Sequence, residues 1–400
     1  MDNKILKVSN SVQWIGVLDK DIKTFDIVME TKYGTTYNSY FINAQKKSIV
    51  ETAKATFWEV YEAKLRQVCD PNEIEYIFIN HTEPDHVGSL VKTLAICPNA
   101  KVVASGVALK FLRNQVGYDF PQIEAKDGDV FDLGNLHITM ISAPQLHWPD
   151  STYTYLQEEQ VLFTCDSFGA HFCHEAMYDD LVGNYDEAFQ YYFDVILKPF
   201  SAFFLKAIDK IRDLPIQAIC TGHGPILRTH WKEIVAKTEQ LSKEYLANCP
   251  TKNRILLAYV SAYGFTKTIA EKIKEGMDQV DGVEVDFCDI EKMDLGTLSD
   301  KIAMASAYML GSPTINQNML PQLYNVFACM TPIREKGKLA SSFGSYGWSG
   351  ETQKILDGNI GNMKMNHYGE SIFIRFKPQE EDFDRIRNFG KEFAQQVKGV

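Results

Sequence analysis

Short apolar runs rich in β-branched and aromatic residues punctuate the first 250 residues: EYIFIN (75–80), KVVAS (101–105), HITMISA (137–143), TYTYL (152–156), VLFTCD (161–166) and AIC (218–220). Runs of this make-up predict strands, each ending in a loop rich in His, Asp, Gly or Pro. Longer amphipathic stretches lie between them, VGSLVKTLAI (87–96) and YYFDVILKPFSAFFLKAIDKIRDL (191–214). These predict helices packed outside the strands, an α/β or α+β sandwich. From residue 254 the rhythm becomes strand–helix alternation. RILLAYV (254–260), VEVDFCDI (283–290), AMASAYMLGS (303–312), LASSFGS (339–345) and SIFIRFKP (371–378) predict five strands, with helices such as TKTIAEKIKEGM (266–277) between them. Continuous apolar strands joined by helices predict a doubly wound parallel sheet. The polar stretch at 245–254 reads as a short linker, so the expected domains are 1–250 and 254–400.

Composition narrows the class. A chain of 400 residues, 45% apolar and 23% charged, has material for two or three domains with sizeable cores. No run approaches the length of a membrane-spanning helix, and the opening MDNKILKVSNSVQW does not read as a secretory signal. The net charge of -11 argues against a general nucleic-acid binder. Eight cysteines are scattered with no C-x-x-C pair. That argues against zinc ribbons and rubredoxin-type or thioredoxin-type motifs, and fits reduced thiols in a cytoplasmic protein.

The first half carries metal-binding chemistry. After EYIFIN come His81, Glu83, Asp85 and His86 in the order H-x-E-x-D-H. Groups packed this densely at a strand end call for a cation to neutralise them. His147, Asp166 and His223 each follow a later predicted strand. Seven donors are too many for one ion; two ions sharing one carboxylate is the natural count. The other histidines, 137, 171, 174, 230 and 367, read as structural, and Asp150 as a cap or an acceptor behind the ligands.

The second half carries a phosphate-binding loop. Ser261, Ala262, Tyr263, Gly264, Phe265 and Thr266 join the strand RILLAYV to a helix, where hydroxyls and free N–H groups suit a phosphate dianion. The spacing matches neither a dinucleotide fingerprint nor a nucleoside-triphosphate loop. Two further loops follow later strands: Ser312, Pro313, Thr314, Ile315 and Asn316, then Ser345, Tyr346, Gly347, Trp348, Ser349 and Gly350. One phosphate loop with two polar loops and an aromatic to stack on an isoalloxazine ring fits FMN.

The order H-x-E-x-D-H, His, Asp, His resembles the metallo-β-lactamase fold, with Glu83 where its hydrolases usually carry His. That change adds a hard oxygen donor and shifts preference from zinc toward iron or manganese. Together with the second half, the chain is similar to the flavodiiron proteins (A-type flavoproteins), including G-T-T-Y-N at 34–38, L-H-W-P-D-S at 146–151 and G-S-P-T-I-N at 311–316. The resemblance implies an α/β chain: an N-terminal metallo-β-lactamase-like αβ/βα sandwich, then a flavodoxin-like doubly wound sheet. It implies FMN and two non-haem irons. His81, Glu83, His147 and Asp166 would hold one iron; Asp85, His86, His223 and Asp166 would hold the other, His86 being a position that does not bind metal in every member.

An iron pair and a reduced flavin together offer the four electrons that turn O2 into water; reducing two NO to N2O needs two. The resemblance therefore implies a reductase of O2, NO or both, with O2 modestly favoured. No histidine precedes His81, so the distal histidine that some relatives carry on N-terminal loops is missing; Tyr192 is a candidate pocket donor, although a packing role is the simpler reading. A head-to-tail homodimer, or a dimer of such dimers, would bring the flavin of one subunit to the irons of the other. With no rubredoxin-type motif, a separate donor is expected, a rubredoxin-like protein or a reduced deazaflavin coenzyme. Two rivals are a metallo-β-lactamase-fold hydrolase with an accessory flavodoxin domain, and a pure electron carrier.

Overall fold

A computed structural model describes residues 4–25 and 29–399. The chain divides into two compact units, Met1–Tyr245 and Leu246–Val400. The stretch expected to be a linker begins inside a helix, because Trp231–Asn248 runs on past Tyr245.

In the first unit two sheets face each other. One has seven strands, including Lys47–Val50, Ile74–Phe78 and Lys101–Ser105, which run parallel. The other has five; His137–Ser142, Thr152–Leu156 and Val161–Cys165 alternate in direction, and Ala218–Thr221 lies parallel to Val161–Cys165. Successive side chains of a strand point to opposite faces. Thus Phe78 and Val103 meet Ile138, Met140, Leu156 and Phe163 in a shared inner core. Ile77 and Val102 point outward, against Leu65, Leu94 and Leu112 of the covering helices. On the far side Tyr153, Leu162 and Ile219 pack on Phe204, Ile208 and Ile211. The result is a four-layered αβ/βα sandwich. The amphipathic stretch at 191–214 is not one helix. Asp186–Tyr192, a wide turn at Phe193–Leu197 and a tight turn at Lys198–Phe200 precede the helix Ser201–Ile211. Pro199 explains the break, since it lacks the N–H that a continuous helix needs.

The second unit is a parallel sheet in the order Glu284–Asp289, Arg254–Tyr259, Ala307–Gly311, Leu339–Tyr346, with the far edge shared by two pieces. Asn366–His367 pairs with the start of Leu339–Tyr346 and Ile372–Arg375 with its end; the shorter piece was not anticipated. The third predicted strand also began too early. Ala303 and Met304 close the helix Leu295–Met304, which starts where the Asp294 side chain accepts the Thr297 N–H and which buries Leu298, Ile302 and Ala303. Their apolar character belongs to a helix face.

Candidate metal centre and flavin loops

The strands His137–Ser142, Val161–Cys165 and Ala218–Thr221 share one direction, so His147, Asp166 and His223 leave the same edge of the sheet. The loop after Ile74–Phe78 reaches the same place. Its short turn Pro84–Val87 folds Asp85 and His86 back beside His81 and Glu83. All seven predicted donors converge. Glu83 Oε2 lies 3.2 Å from His81 Nε2 and 3.1 Å from His147 Nε2. Asp85 Oδ2 lies 3.2 Å from His223 Nε2 and 3.6 Å from His86 Nε2. Asp166 stands between these sets. Its Oδ2 is 2.6 Å from His147 Nε2 and 3.7 Å from His81 Nε2; its Oδ1 is 2.9 Å from His86 Nε2 and 3.5 Å from His223 Nε2.

This donor set suits a pair of cations. Both oxygens of Asp85 and the Nε2 of His86 are buried without a hydrogen-bond partner. His86 Nε2 is close to Asp166 but not aligned for a hydrogen bond with it. Such groups are costly to bury unless an ion takes them up. Burial would lower the His147 imidazole, yet Asp166 and Glu83 push it up to about 10. Burial would raise the Asp166 carboxyl, yet His86, His147 and His223 hold it well below the usual range. Four imidazoles and three carboxylates favour iron or manganese over zinc.

A second layer orients the first. His223 Nδ1–H donates to Thr36 O at 2.6 Å, which leaves the Nε2 lone pair facing the site. Asn38 Nδ2 donates to Thr221 O and Gly224 O, and Gly224 N–H to Thr36 Oγ1. The G-T-T-Y-N segment thus holds the His223 loop. Asp150 Oδ1 lies 3.9 Å from His81 Nδ1. A side chain at Gly222 would run into His86 and Asp166 at about 3 Å.

One further histidine lies beside the cluster. His171, read as structural, is buried with its ring centroid 5.2 Å from His223 and 4.8 Å from Tyr192. Its Nδ1 faces Thr35 Oγ1 at 2.9 Å, while its Nε2 and the Tyr192 hydroxyl are buried without partners. Burial and the neighbouring His223 push the His171 imidazole well below its usual value. Phe25 packs on both imidazoles. The available signal was position: His171 follows Asp166 in the same loop, on the same sheet edge. His137, by contrast, pairs with Glu158 and His367 with Asp357.

In the second unit the three predicted loops share the carboxyl edge of the parallel strands. Thr266 and Ser345 hydroxyls meet at 2.9 Å, and Thr314 N–H donates to Ser345 O. Phe265 and Thr266 form the first turn of the helix Phe265–Met277, and Ser345 and Tyr346 still belong to the strand Leu339–Tyr346. Gly264 adopts φ +84°, turning the chain into the helix. Thr314 Oγ1 is buried without a partner, and the Tyr263 and Trp348 rings stand 80% and 84% exposed. A buried unpartnered hydroxyl and two exposed aromatic faces on loops at one sheet edge fit a planar ligand with a polar rim.

Comparison with known proteins follows this division. Residues 35–224 match the ODP family beta lactamase model and residues 257–390 the flavodoxin model. The flavo-diiron protein FprA2 of Clostridium acetobutylicum is 33% identical over 98% of this chain and 99% of its own length. A nitric oxide reductase of Moorella thermoacetica is 32% identical over 98% of both chains. The solved rubredoxin oxygen:oxidoreductase from Desulfovibrio gigas superposes with a TM-score of 0.72 at 26% identity, covering 99% of each chain. Matched along its whole length, the chain belongs to the flavodiiron (type A flavoprotein) family of oxidoreductases, with an FMN-binding flavodoxin-like unit and a diiron unit of metallo-β-lactamase fold.

Proposed function

We propose that this protein reduces a diatomic gas, O2 to two waters or two NO to N2O and water, with O2 the favoured substrate. The observation that carries the reading is Asp166, whose two oxygens face two different sets of imidazoles and carboxylates. His81, Glu83, His147 and Asp166 would hold one iron; Asp85, His86, His223 and Asp166 the other. The iron pair and FMN supply Lewis acidity and electrons. The remaining work falls to side chains. Three carboxylates offset most of the charge of two divalent ions. The His223–Thr36 hydrogen bond keeps a lone pair on the inward nitrogen. Tyr192 and His171 offer the hydroxyl and ring N–H that would hold oxygen atoms of the substrate and keep them from leaving as partly reduced species.

The FMN would sit on Ser261–Thr266, Pro313–Asn316 and Ser345–Gly350, reduced by a separate donor, a rubredoxin-like protein or a reduced deazaflavin. Head-to-tail pairing of two subunits would supply the flavin-to-iron path, in a dimer or a dimer of dimers. In one experiment, donor-reduced protein is mixed anaerobically with O2 or NO and gas loss is followed with an electrode. Expected is consumption of O2 at least as fast as of NO, by protein holding two irons and one FMN per chain. Zinc in place of iron, with ester or lactam turnover and no gas loss, would establish the hydrolase instead. Mixing an Asp166→Ala subunit with a flavin-site variant tests the pairing: activity restored in the mixture supports it, and two inactive proteins that stay inactive when co-assembled argue against it.

A further inference from the structure

Glu51, we propose, is a positioning residue of the metal centre, holding His86 in its ligating orientation through Nδ1; the proposal rests on the diiron reading above. Glu51 follows the strand Lys47–Val50, which pairs with Ile74–Phe78, the strand whose loop carries H-x-E-x-D-H. Its backbone lies at φ +59°, where non-glycine residues are uncommon. The conformation is pinned from several sides: Glu51 N–H donates to Phe78 O, Ser39 Oγ donates to Glu51 O, and Asn80 N–H donates to Glu51 Oε1 at 2.7 Å. The next residue grips the far end of the same loop. Thr52 N–H and Oγ1 both donate to His86 O, at 2.9 and 2.6 Å. Residues 51 and 52 therefore hold Asn80 and His86, the two ends of the loop that brings four donors.

One oxygen of Glu51 has no partner. Oε2 is buried and unbonded. A Glu51 oxygen, a His86 ring nitrogen and Cys165 Sγ lie within 4.8 Å of one another. Cys165 Sγ is 3.7 Å from His86 Nδ1, whereas Nε2 faces Asp166, so Nδ1 is the nitrogen on this side. With Nε2 on a metal, Nδ1 carries the proton and needs an acceptor. The thiol is a weak one, and the Glu51 carboxyl has a free lone pair in either protonation state. His223 has the Thr36 carbonyl for this purpose; for His86 the proposed acceptor is the Glu51 oxygen that lies within 4.8 Å.

Glu51→Gln separates the two tasks. One amide oxygen can serve Asn80 or His86, but the amide NH2 cannot accept from the other. Metal-free protein is titrated anaerobically with Fe(II) alone and read by Mössbauer spectroscopy. Expected for the variant are retained FMN and melting temperature, one iron bound roughly ten- to hundredfold more weakly, and a shifted quadrupole doublet for that iron only. In a His86→Ala background Glu51→Gln should add nothing. Two irons with wild-type affinity and spectra would overturn the proposal, as would an additive loss in the double variant or a third ion bound at Glu51, His86 and Cys165. If Glu51→Gln fails to fold, Glu51→Asp is read the same way; failure of both assigns the residue to the fold and overturns the proposal. Wild-type protein that takes up fewer than two irons would overturn the diiron reading itself, and this proposal with it.

Discussion

The two halves of the molecule place their chemistry in opposite ways. In the first, function resides in side-chain atoms: six of the seven donors are buried and each contributes a particular nitrogen or oxygen to a shared centre. In the second, the proposed flavin site lies in loops at a sheet edge, which offer backbone N–H groups, hydroxyls and two exposed rings. A buried ionic centre is sensitive to the loss of a charged donor, because a missing carboxylate leaves uncompensated charge behind. A loop that binds through its backbone depends on shape, so individual side chains matter less. Asp166→Ala tests this most severely. Removing the carboxylate that faces both sets should abolish the iron pair and gas reduction while FMN stays bound, as measured by iron analysis and the flavin absorption spectrum. Retained iron and activity would break the comparison at its strongest point.

A second effect should be confined to the first half. In the metal-free protein His147 is pushed up to about 10 and His86 is raised well above its usual value, so both rings carry protons at neutral pH. Coordination needs their lone pairs, and metal uptake must expel those protons. Apparent affinity for Fe(II) or Co(II) should therefore rise with pH toward about 10. Calorimetry in buffers of different ionisation enthalpy, between about pH 6 and 8, would count the protons released. FMN affinity, which the proposed site places in loops without a comparable imidazole cluster, should change little over that range. A pH-independent metal affinity would show that the imidazoles are already neutral.

The same contrast explains what was legible in the sequence. A metal needs specific donors at strand ends, so H-x-E-x-D-H, His147, Asp166 and His223 stand out by residue type alone, and the structure brings all seven to one place. Residues that act behind the donors have no such signature. Thr36 works through its carbonyl, which every residue possesses. Glu51 looks like the end of a strand until its neighbours are known. His171 carries no ligand spacing in the sequence, and only its position beside His223 and Tyr192 in the structure draws notice to it. In the fold, apolar runs marked the long buried strands. Of the seven-stranded sheet they marked only Ile74–Phe78 and Lys101–Ser105, because the remaining strands are short or polar. They could not separate the apolar face of Leu295–Met304 from the strand that follows. Nor could they foresee an edge strand in two pieces, since pairing of Asn366–His367 is a tertiary event.

Two substitutions in the flavin loops sharpen the comparison with smaller effects, read as FMN dissociation constants by fluorescence. Gly264 sits at φ +84° with open space around it, so alanine there meets no atom and costs only conformation. That cost, about 1–2 kcal/mol, corresponds to FMN binding weakened by roughly five- to thirtyfold. Trp348 is 84% exposed and offers a ring face without an obligatory polar contact. Stacking of an aromatic pair contributes about 0.5–1.5 kcal/mol beyond area burial, so Trp348→Ala should weaken FMN by roughly two- to tenfold, with the iron pair untouched. The order of these two effects is the informative quantity. A larger loss for Gly264→Ala means that loop shape dominates flavin binding. A larger loss for Trp348→Ala means that the second half also rests on the identity of one side chain, and the contrast between the two halves narrows to the difference between buried charge and exposed surface.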